Sequence, residues 1–405
     1  MRVLVVNAGS SSLKLRLLDA ADAIEHSADL PAGSDGFEIS RLTEILNGWA
    51  TPDVVGHRIV HGGTTFTGPV LINDAVRKQL QDLTDLAPLH QPKSLAGLDA
   101  VTAHLPGVPA VASFDTAFHT TIPPAAATYA VPREWRERYA IRRYGFHGLS
   151  HAYCSQRAAQ LLGQPLTALR IITCHLGAGA SLAAVLGGRS VDTTMGFTPL
   201  EGLVMATRSG TVDPGLVLWL EEHEHLSPHE VATALEQRSG LTALAGTGDM
   251  RAIEAAADRG DPDAQLAIDV YIHRLVSGIA AMCAATGGVD VLAFTGGVGE
   301  NSALVRWRAA ERLAFLAVAV DRHRNGVAHT GPDHTGRDHA GPGQIGTDHV
   351  GPDHAGPEQA DRDITAAGAT VRTMVITARE DLQIAREARQ VLGADQPGAS
   401  QAAGC

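Results

Sequence analysis

Val3-Leu4-Val5-Val6-Asn7-Ala8-Gly9-Ser10-Ser11-Ser12-Leu13-Lys14 opens the chain and decides how the rest is read. Four consecutive apolar residues predict a buried strand. Asn, Gly and three Ser then form a tight polar turn. Apolar residues resume at Leu13, Leu15 and Leu17, with Lys14 and Arg16 on the opposite face, so a second strand leaves the turn. Such a turn gathers backbone N–H groups and hydroxyls at one point, which suits a phosphate. Taken alone, the segment is equally an ordinary hairpin.

A second copy lies far downstream. Ile171-Ile172-Thr173-Cys174-His175-Leu176-Gly177-Ala178-Gly179-Ala180-Ser181-Leu182 is again strand, Gly/Ser turn, strand. A third glycine turn follows the apolar run Val291 to Thr295, at Gly296-Gly297-Val298-Gly299-Glu300-Asn301. Three such turns suggest two related halves facing one ligand.

The chain has 405 residues, enough for two domains, and 44% of them are hydrophobic. A net charge of −12 without a long basic block argues against nucleic acid and against an anionic membrane. The strand pattern at the first residues leaves no room for a signal peptide. The apolar run near Leu275 to Thr286 is too short and too rich in small residues to span a bilayer. Cys154, Cys174, Cys283 and Cys405 show no metal or redox spacing and read as reduced cytoplasmic thiols. Lysine occurs only at 14, 78 and 93, and no G-x-x-x-x-G-K-[ST] is present. Phosphate handling therefore falls to backbone turns, arginine and a metal.

Apolar runs at 3–6, 54–60, 110–114, 171–174, 182–186, 291–295 and 371–376 alternate with helical stretches, an α/β pattern. Asp213-Pro214 supplies a cap and a first-turn proline for one helix. Residues 326–360 differ. They run as degenerate Gly/Pro pentapeptides with almost nothing apolar, which predicts a solvated, disordered insertion. Their five histidines (329, 334, 339, 349 and 354) leave a metal-binding tract open.

Several polar residues stand at the ends of apolar runs, where α/β folds place their clefts. Arg58 sits at a strand end beside glycines, and Asp115 sits just past Ser113-Phe114. His147 lies between Gly145 and Gly148, and Arg208 lies in a polar turn. Each also has a plainer reading: a surface arginine, a strand-end cap, a structural histidine.

Together these segments closely resemble the acetate kinase family. The matching stretches are NAGSSSLK, GHRIVHGG, LAPLH, FDTAFH, RYGFHGLSH, HLGAGAS, MGFTPLEG, TRSGTVDP, FTGGVGEN and REDLQIAR, in family order across nearly the whole chain outside 326–360. The resemblance implies α/β architecture: two duplicated actin-like, ribonuclease H-like domains with a nucleotide cleft between them, as in sugar kinases and the ATPase domain of heat-shock chaperones. One domain would comprise 1–119 plus 382–397. The other would comprise 120–381 with the insertion.

It implies reversible phosphoryl transfer between ATP and acetate, giving ADP and acetyl phosphate, in a cytoplasmic homodimer. Its catalytic positions fall on Arg58, Asp115, His147 and Arg208. Its nucleotide contacts fall on Lys14, on His175, Leu176, Gly177, Ala178 and Gly179, on Asp249, Met250 and Arg251, and on Gly297, Val298, Gly299, Glu300 and Asn301. The acyl pocket falls on Arg58, Val60, Leu89, Phe146 and Pro199. The metal, Mg²⁺ or Mn²⁺ in its place, falls on Asn7 and Glu380.

The chemistry agrees with those roles. Acetate is already a nucleophile, so the barrier lies in bringing two anions together and holding charge on the migrating group. Arginines, a histidine and Mg²⁺ serve that end, and Asp115 orients a partner rather than abstracting a proton. Three positions depart from the family: Ala178 and Gln91 replace Asn, and Arg379-Glu380-Asp381-Leu382 replaces N-E-E-L. Losing one amide donor near a phosphate costs roughly 1–2 kcal/mol or signals another phosphate donor. Two alternatives stay open. A kinase for propionate or another short acyl group fits the same pocket residues. A non-enzymatic ATP-binding protein of this fold would need neither Arg58 nor Arg208.

Overall fold

The computed structural model describes residues 1–9, 12–33, 36–87, 91–326 and 361–394. Two mixed sheets are built on one plan. In the first, β1 (Val3–Ala8), β2 (Ser12–Leu18) and β3 (Ile24–Gly33) form an antiparallel meander. β4 (Val54–Ile59) and β5 (Ala110–Phe114) extend it in parallel on the β1 side. In the second, β6 (Arg170–Leu176), β7 (Ala180–Leu186) and β8 (Arg189–Thr193) repeat the meander. β9 (Val291–Thr295) and β10 (Arg372–Val375) repeat the parallel extension. The strand order 3-2-1-4-5 thus occurs twice, the duplication implied by the two hairpins. Several strands were not apparent in the sequence, among them β3, which interleaves Glu25, His26, Ser27 and Asp29 with its apolar residues, and the short β8.

The continuous apolar runs follow from sheets covered on both faces. Along β1, Val3 and Val5 join one core while Leu4 and Val6 join another. The first of these cores is shared between the halves. It unites Val3, Val5, Val54 and Val111 with Ile171, Val185, Val291 and Ala293. Two helices fill the space between the sheets: α1 (Gly148–Leu162) and, at the end of the chain, α3 (Glu380–Ala394). On the far face of the second sheet lies α2 (Pro262–Thr286). It is long and apolar enough to cross a membrane by length and composition. Its buried residues Ala264, Ala267, Ile268, Tyr271, Ile272, Leu275, Ile279 and Met282 nevertheless form a helical stripe within the second core. The cap read from Asp213-Pro214 is present, with Asp213 accepting from the Gly215 N–H.

The chain returns from the second sheet to the first through residues 376–380. Two carboxylates hold this crossing: Asp361 accepts from the Thr377 N–H at 2.9 Å, and Glu300 accepts from the Ala378 N–H at 2.9 Å. Helix α3 then packs onto β4 so closely that a Cβ at Gly56 would lie 2.6 Å from Ile384 Cγ2. Gly56→Ala should therefore destabilise the protein by about 1–3 kcal/mol in urea unfolding. Adding Ile384→Ala should restore part of the clash term. A strictly additive double mutant would show that no clash exists.

Candidate active site

The two hairpin turns face each other across a cleft of about 300 Å³, lined by Asn7, Ala8, Gly9, Ser12 and Lys14 from one and His175, Ala178 and Gly179 from the other. Arg58, Val60, Asp115, Phe146, His147, Pro199, Arg208 and Glu380 complete the wall. In the first turn Gly9 N–H donates to Ser12 O at 2.8 Å; in the second Gly177 N–H donates to Gly179 O at 2.9 Å. Each turn closes its hairpin with a short backbone bond.

Arg58 and Asp115 stand at the ends of the neighbouring parallel strands β4 and β5. Their bond is bidentate: Nε to Oδ1 at 2.9 Å and Nη2 to Oδ2 at 2.5 Å. Asp115 is 1% exposed. Arg58 Nη1 also donates to Asn7 Oδ1 at 3.2 Å, and Asn7 Nδ2 donates to Glu380 Oε2 at 2.9 Å. Burial raises the Asp115 carboxyl, while the adjacent guanidinium pulls it back. Burial also opposes charge on Glu380, but Arg58, His175, the Asn7 bond and Lys14 together bring its pKa below the ordinary value. Burial opposes charge on Arg58 too, and the two carboxylates outweigh it.

His147 precedes α1 with φ of +57°, a left-handed conformation that strains a non-glycine residue. Its surroundings impose it. A Cβ at Gly148 would lie 2.3 Å from Asp115 O, and one at Gly145 2.6 Å from the His119 ring. The ring lies against His175, centroids 4.3 Å apart and planes tilted by 30°. A Cβ at Gly179 would lie 3.3 Å from His147 Nε2 and 3.5 Å from Arg208 Nη1, so both groups converge on the second turn. Burial, then His175, His151, Arg58 and Arg208, hold His147 far below its usual pKa, and the ring is neutral. Burial likewise lowers Arg208, whose Nη1 donates to Pro199 O at 3.3 Å.

Not every expected residue reaches this cleft. Asp249 caps a helix through the Arg251 N–H and pairs with the Arg251 side chain, while Met250 is in the core. Glu300 turns inward: its Oε1 accepts from the Gly296 and Ala378 N–H groups at 2.9 Å each. Leu176 is fully buried, and Val298 packs against the same core. Asn301 Nδ2 donates to Gly297 O at 2.8 Å. A Cβ at Gly177 would lie 4.0 Å from Gly297 N, so the third turn adjoins the second, and Gly299 lies beneath them against Leu176. Ser302 Oγ donates to Glu254, linking the Gly297 and Asp249 segments along one edge. Leu89 lies outside the described residues, as do Ser10, Ser11 and the insertion from 327 to 360. Gln91 is fully buried and donates to His61 O and Leu80 O, a structural role. Missed in the sequence were Ser181, Ser150 and His151, the hydroxyls and ring that hold His147 and His175.

Comparison with known proteins now bears on the same cleft. Residues 36–340 match the model of the acetokinase family. The chain belongs to that family. Acetate kinase of Microcystis aeruginosa is 41% identical across 96% of this chain and 98% of its own length. That of Gloeobacter violaceus is 42% identical across 97% and 100%. Among solved acetokinase-related structures, Porphyromonas gingivalis acetate kinase superposes with a TM-score of 0.81 at 33% identity, over 96% of this chain and 99% of that one. A propionate kinase from Francisella tularensis superposes with 0.82, also at 33% identity, over the same shares.

The buried ion pair predicts a pH signature. Arg58→Met leaves Asp115 buried without its guanidinium, so its folded pKa rises further above the unfolded value. A carboxyl raised by folding holds its proton more tightly when folded, so stability falls as pH climbs through that range. The deficit relative to wild type in urea unfolding should be small at pH 5 and about 3 kcal/mol at pH 8. Equal deficits at both values would mean that the Asp115 charge does not depend on Arg58.

Proposed function

We propose that this acetokinase transfers the γ-phosphoryl group of ATP to acetate, and runs the reverse reaction from acetyl phosphate and ADP. The carrying observation is the convergence of two arginines and an imidazole on one cleft between two phosphate-type turns. A carboxylate oxygen of acetate attacks the γ-phosphorus, the bond to the ADP oxygen breaks, and no proton need move. Arg58, aimed by Asp115, and Arg208 neutralise the two anions. His147 donates from Nε2 to the migrating group. Val60, Phe146 and Pro199 receive the methyl group, with Leu89 assigned beside them by resemblance. Ala178 and Gly179 offer backbone to the phosphates near Lys14 and His175. The edge formed by Asp249 to Arg251 and Gly297 to Asn301 takes the nucleoside end.

The donor set fits Mg²⁺. Glu380 and Asn7 supply hard oxygens beside the phosphate turn, and this ion keeps waters and substrate phosphates as its other ligands. When bound it supplies charge neutralisation at the phosphates. A second acyl substrate is favoured by the likeness to a propionate kinase, since one methylene in an apolar pocket discriminates by only ~1–3 kcal/mol.

Hydroxylamine trapping should reveal acyl hydroxamate when the folded protein receives ATP, Mg²⁺ and acetate, and a parallel run with propionate ranks the acyl groups. No hydroxamate at high acetate overturns the assignment. Arg58→Ala and Arg208→Ala should each lower kcat by roughly 10³-fold, without rescue by lysine, because a point charge lacks the planar fork. A variant within tenfold of wild type removes that arginine from the mechanism.

We further propose that residues 1–119 with 382–397, and residues 120–381, close on the substrates as two bodies, in a cytoplasmic homodimer. The cleft walls come from both sheets. The helix Pro214–His223 buries none of its residues and exposes Leu216, Leu218 and Trp219, an apolar face for a second copy. Small-angle scattering should give twice the 42.3-kDa chain mass and a smaller radius of gyration with ADP, Mg²⁺ and acetate. A monomer, or an unchanged radius, overturns the respective half.

A further inference from the structure

Behind His147 lies a line of hydroxyls and rings that the reaction above does not use. Ser181 Oγ is 2.9 Å from His147 Nδ1 and 2.8 Å from His151 Nε2. His151 Nδ1 is in turn 2.7 Å from Thr173 Oγ1. Thr173, His151 and Ser181 are each 0% exposed. Their placement follows from the fold. Thr173 and Ser181 sit on the paired strands β6 and β7, and His151 stands one helical turn after His147 on α1.

Counting protons sets the direction of this line. Each hydroxyl carries one proton, and so does each neutral imidazole. Ser181 can donate to only one of the two ring nitrogens beside it, and the other nitrogen must bring its own. The buried end allows either sense, because the 2.7 Å bond between Thr173 Oγ1 and His151 Nδ1 is kept whichever group donates, and Ala183 O stands 3.5 Å from the same hydroxyl. The cleft end decides: His147 Nε2 faces the place where anionic phosphoryl oxygens would sit, which calls for a proton there. In that sense of the chain Thr173 donates to His151 Nδ1. His151 then carries its proton on Nε2 and donates to Ser181. Ser181 donates to His147 Nδ1, and His147 keeps its proton on Nε2, the nitrogen beside Gly179 and Arg208. The opposite direction would turn a lone pair toward anionic oxygens. His175 repeats the device, with Ser150 Oγ 2.8 Å from its Nδ1.

We propose that Thr173, His151 and Ser181 are positioning residues that lock His147 in the Nε2–H tautomer, so that it meets the migrating phosphoryl group as a neutral donor. The proposal deepens the phosphoryl-transfer reading and rests on it. The first test needs no activity. In the full-length protein labelled with ¹⁵N-histidine, the His147 ring should show an unprotonated Nδ1 and a protonated Nε2, with its signals assigned by their loss in His147→Gln. A proton on Nδ1, or a doubly protonated ring at pH 7, overturns the proposal.

Ser181→Ala should mix the two tautomers and lower kcat by about 10- to 100-fold, with KM for ATP and acetate within about threefold. His151→Leu should behave alike, whereas His151→Gln, which keeps an N–H toward Ser181, should recover to within about fivefold of wild type. An unchanged tautomer and unchanged kcat in Ser181→Ala overturn the proposal. If His151→Leu does not fold, the wild-type spectrum and Ser181→Ala decide. A protein with the Nε2–H ring but no hydroxamate would overturn the phosphoryl-transfer reading and leave the tautomer assignment standing.

Discussion

The bidentate bond between Arg58 and Asp115 is the constraint around which the cleft is organised. Both residues stand at the ends of adjacent parallel strands, so the sheet itself fixes their separation. A guanidinium so near the interior needs a partner, and a buried carboxylate needs one more. Mutual satisfaction lets both keep their charge at a point that water would otherwise have to solvate. The remaining donor of Arg58 then orients Asn7, and through it Glu380, so that one ion pair sets four side chains. Asp115 contributes a second time through its backbone: its carbonyl accepts from the Gly148 N–H at 2.8 Å and thereby sets the start of α1. The strained backbone of His147 follows from that anchor.

Much of this was legible in the sequence because the cleft lies at strand ends. Apolar runs that stop abruptly at Asn7, Asp115 and His175 mark where buried strands reach the opening, Arg58 interrupts the run 54–60 near its end, and each of these four residues lines the cleft. The duplicated hairpin was legible for the same reason. β3 was not, because a strand near the edge of its sheet carries His26, Ser27 and Asp29 and shows no apolar run. The third glycine turn was readable as a turn, but not the inward aim of Glu300, which depends on a backbone N–H 78 residues away. Nor could the sequence show that Ser181 is shared by two histidines, since the hydrogen bonds span 30 and 34 residues. Gln91 is instructive in the opposite sense. It reads as a departure within a binding motif, yet its amide is spent on the carbonyls of His61 and Leu80.

The shared core joins the two sheets behind the cleft. Val3, Val5 and Val54 pack with Ile171, Val185 and Val291 around α1 and α3, so the halves are joined by apolar contact on the side away from the turns. Apolar packing is non-directional and tolerates a small rotation better than a hydrogen-bonded interface does. Directional bonds cross as well, at His119, whose ring nitrogens lie 2.8 Å from Ser190 Oγ and 3.0 Å from Phe146 O, and along the 376–380 crossing.

The position of Glu300 has one more consequence. A single carboxylate oxygen bridges the amide of Gly296, in the third turn, and the amide of Ala378, two residues before Glu380. Whatever tilts the turn therefore loads the irregular segment leading to the candidate cation ligand, and the reverse holds equally. Were the turn to hold the nucleotide and Glu380 the cation, as proposed, the two occupancies would be linked through this carboxylate, and such linkage is reciprocal by necessity. Nucleotide and cation, though they touch different residues, would then report on one another's presence before any phosphoryl group has moved.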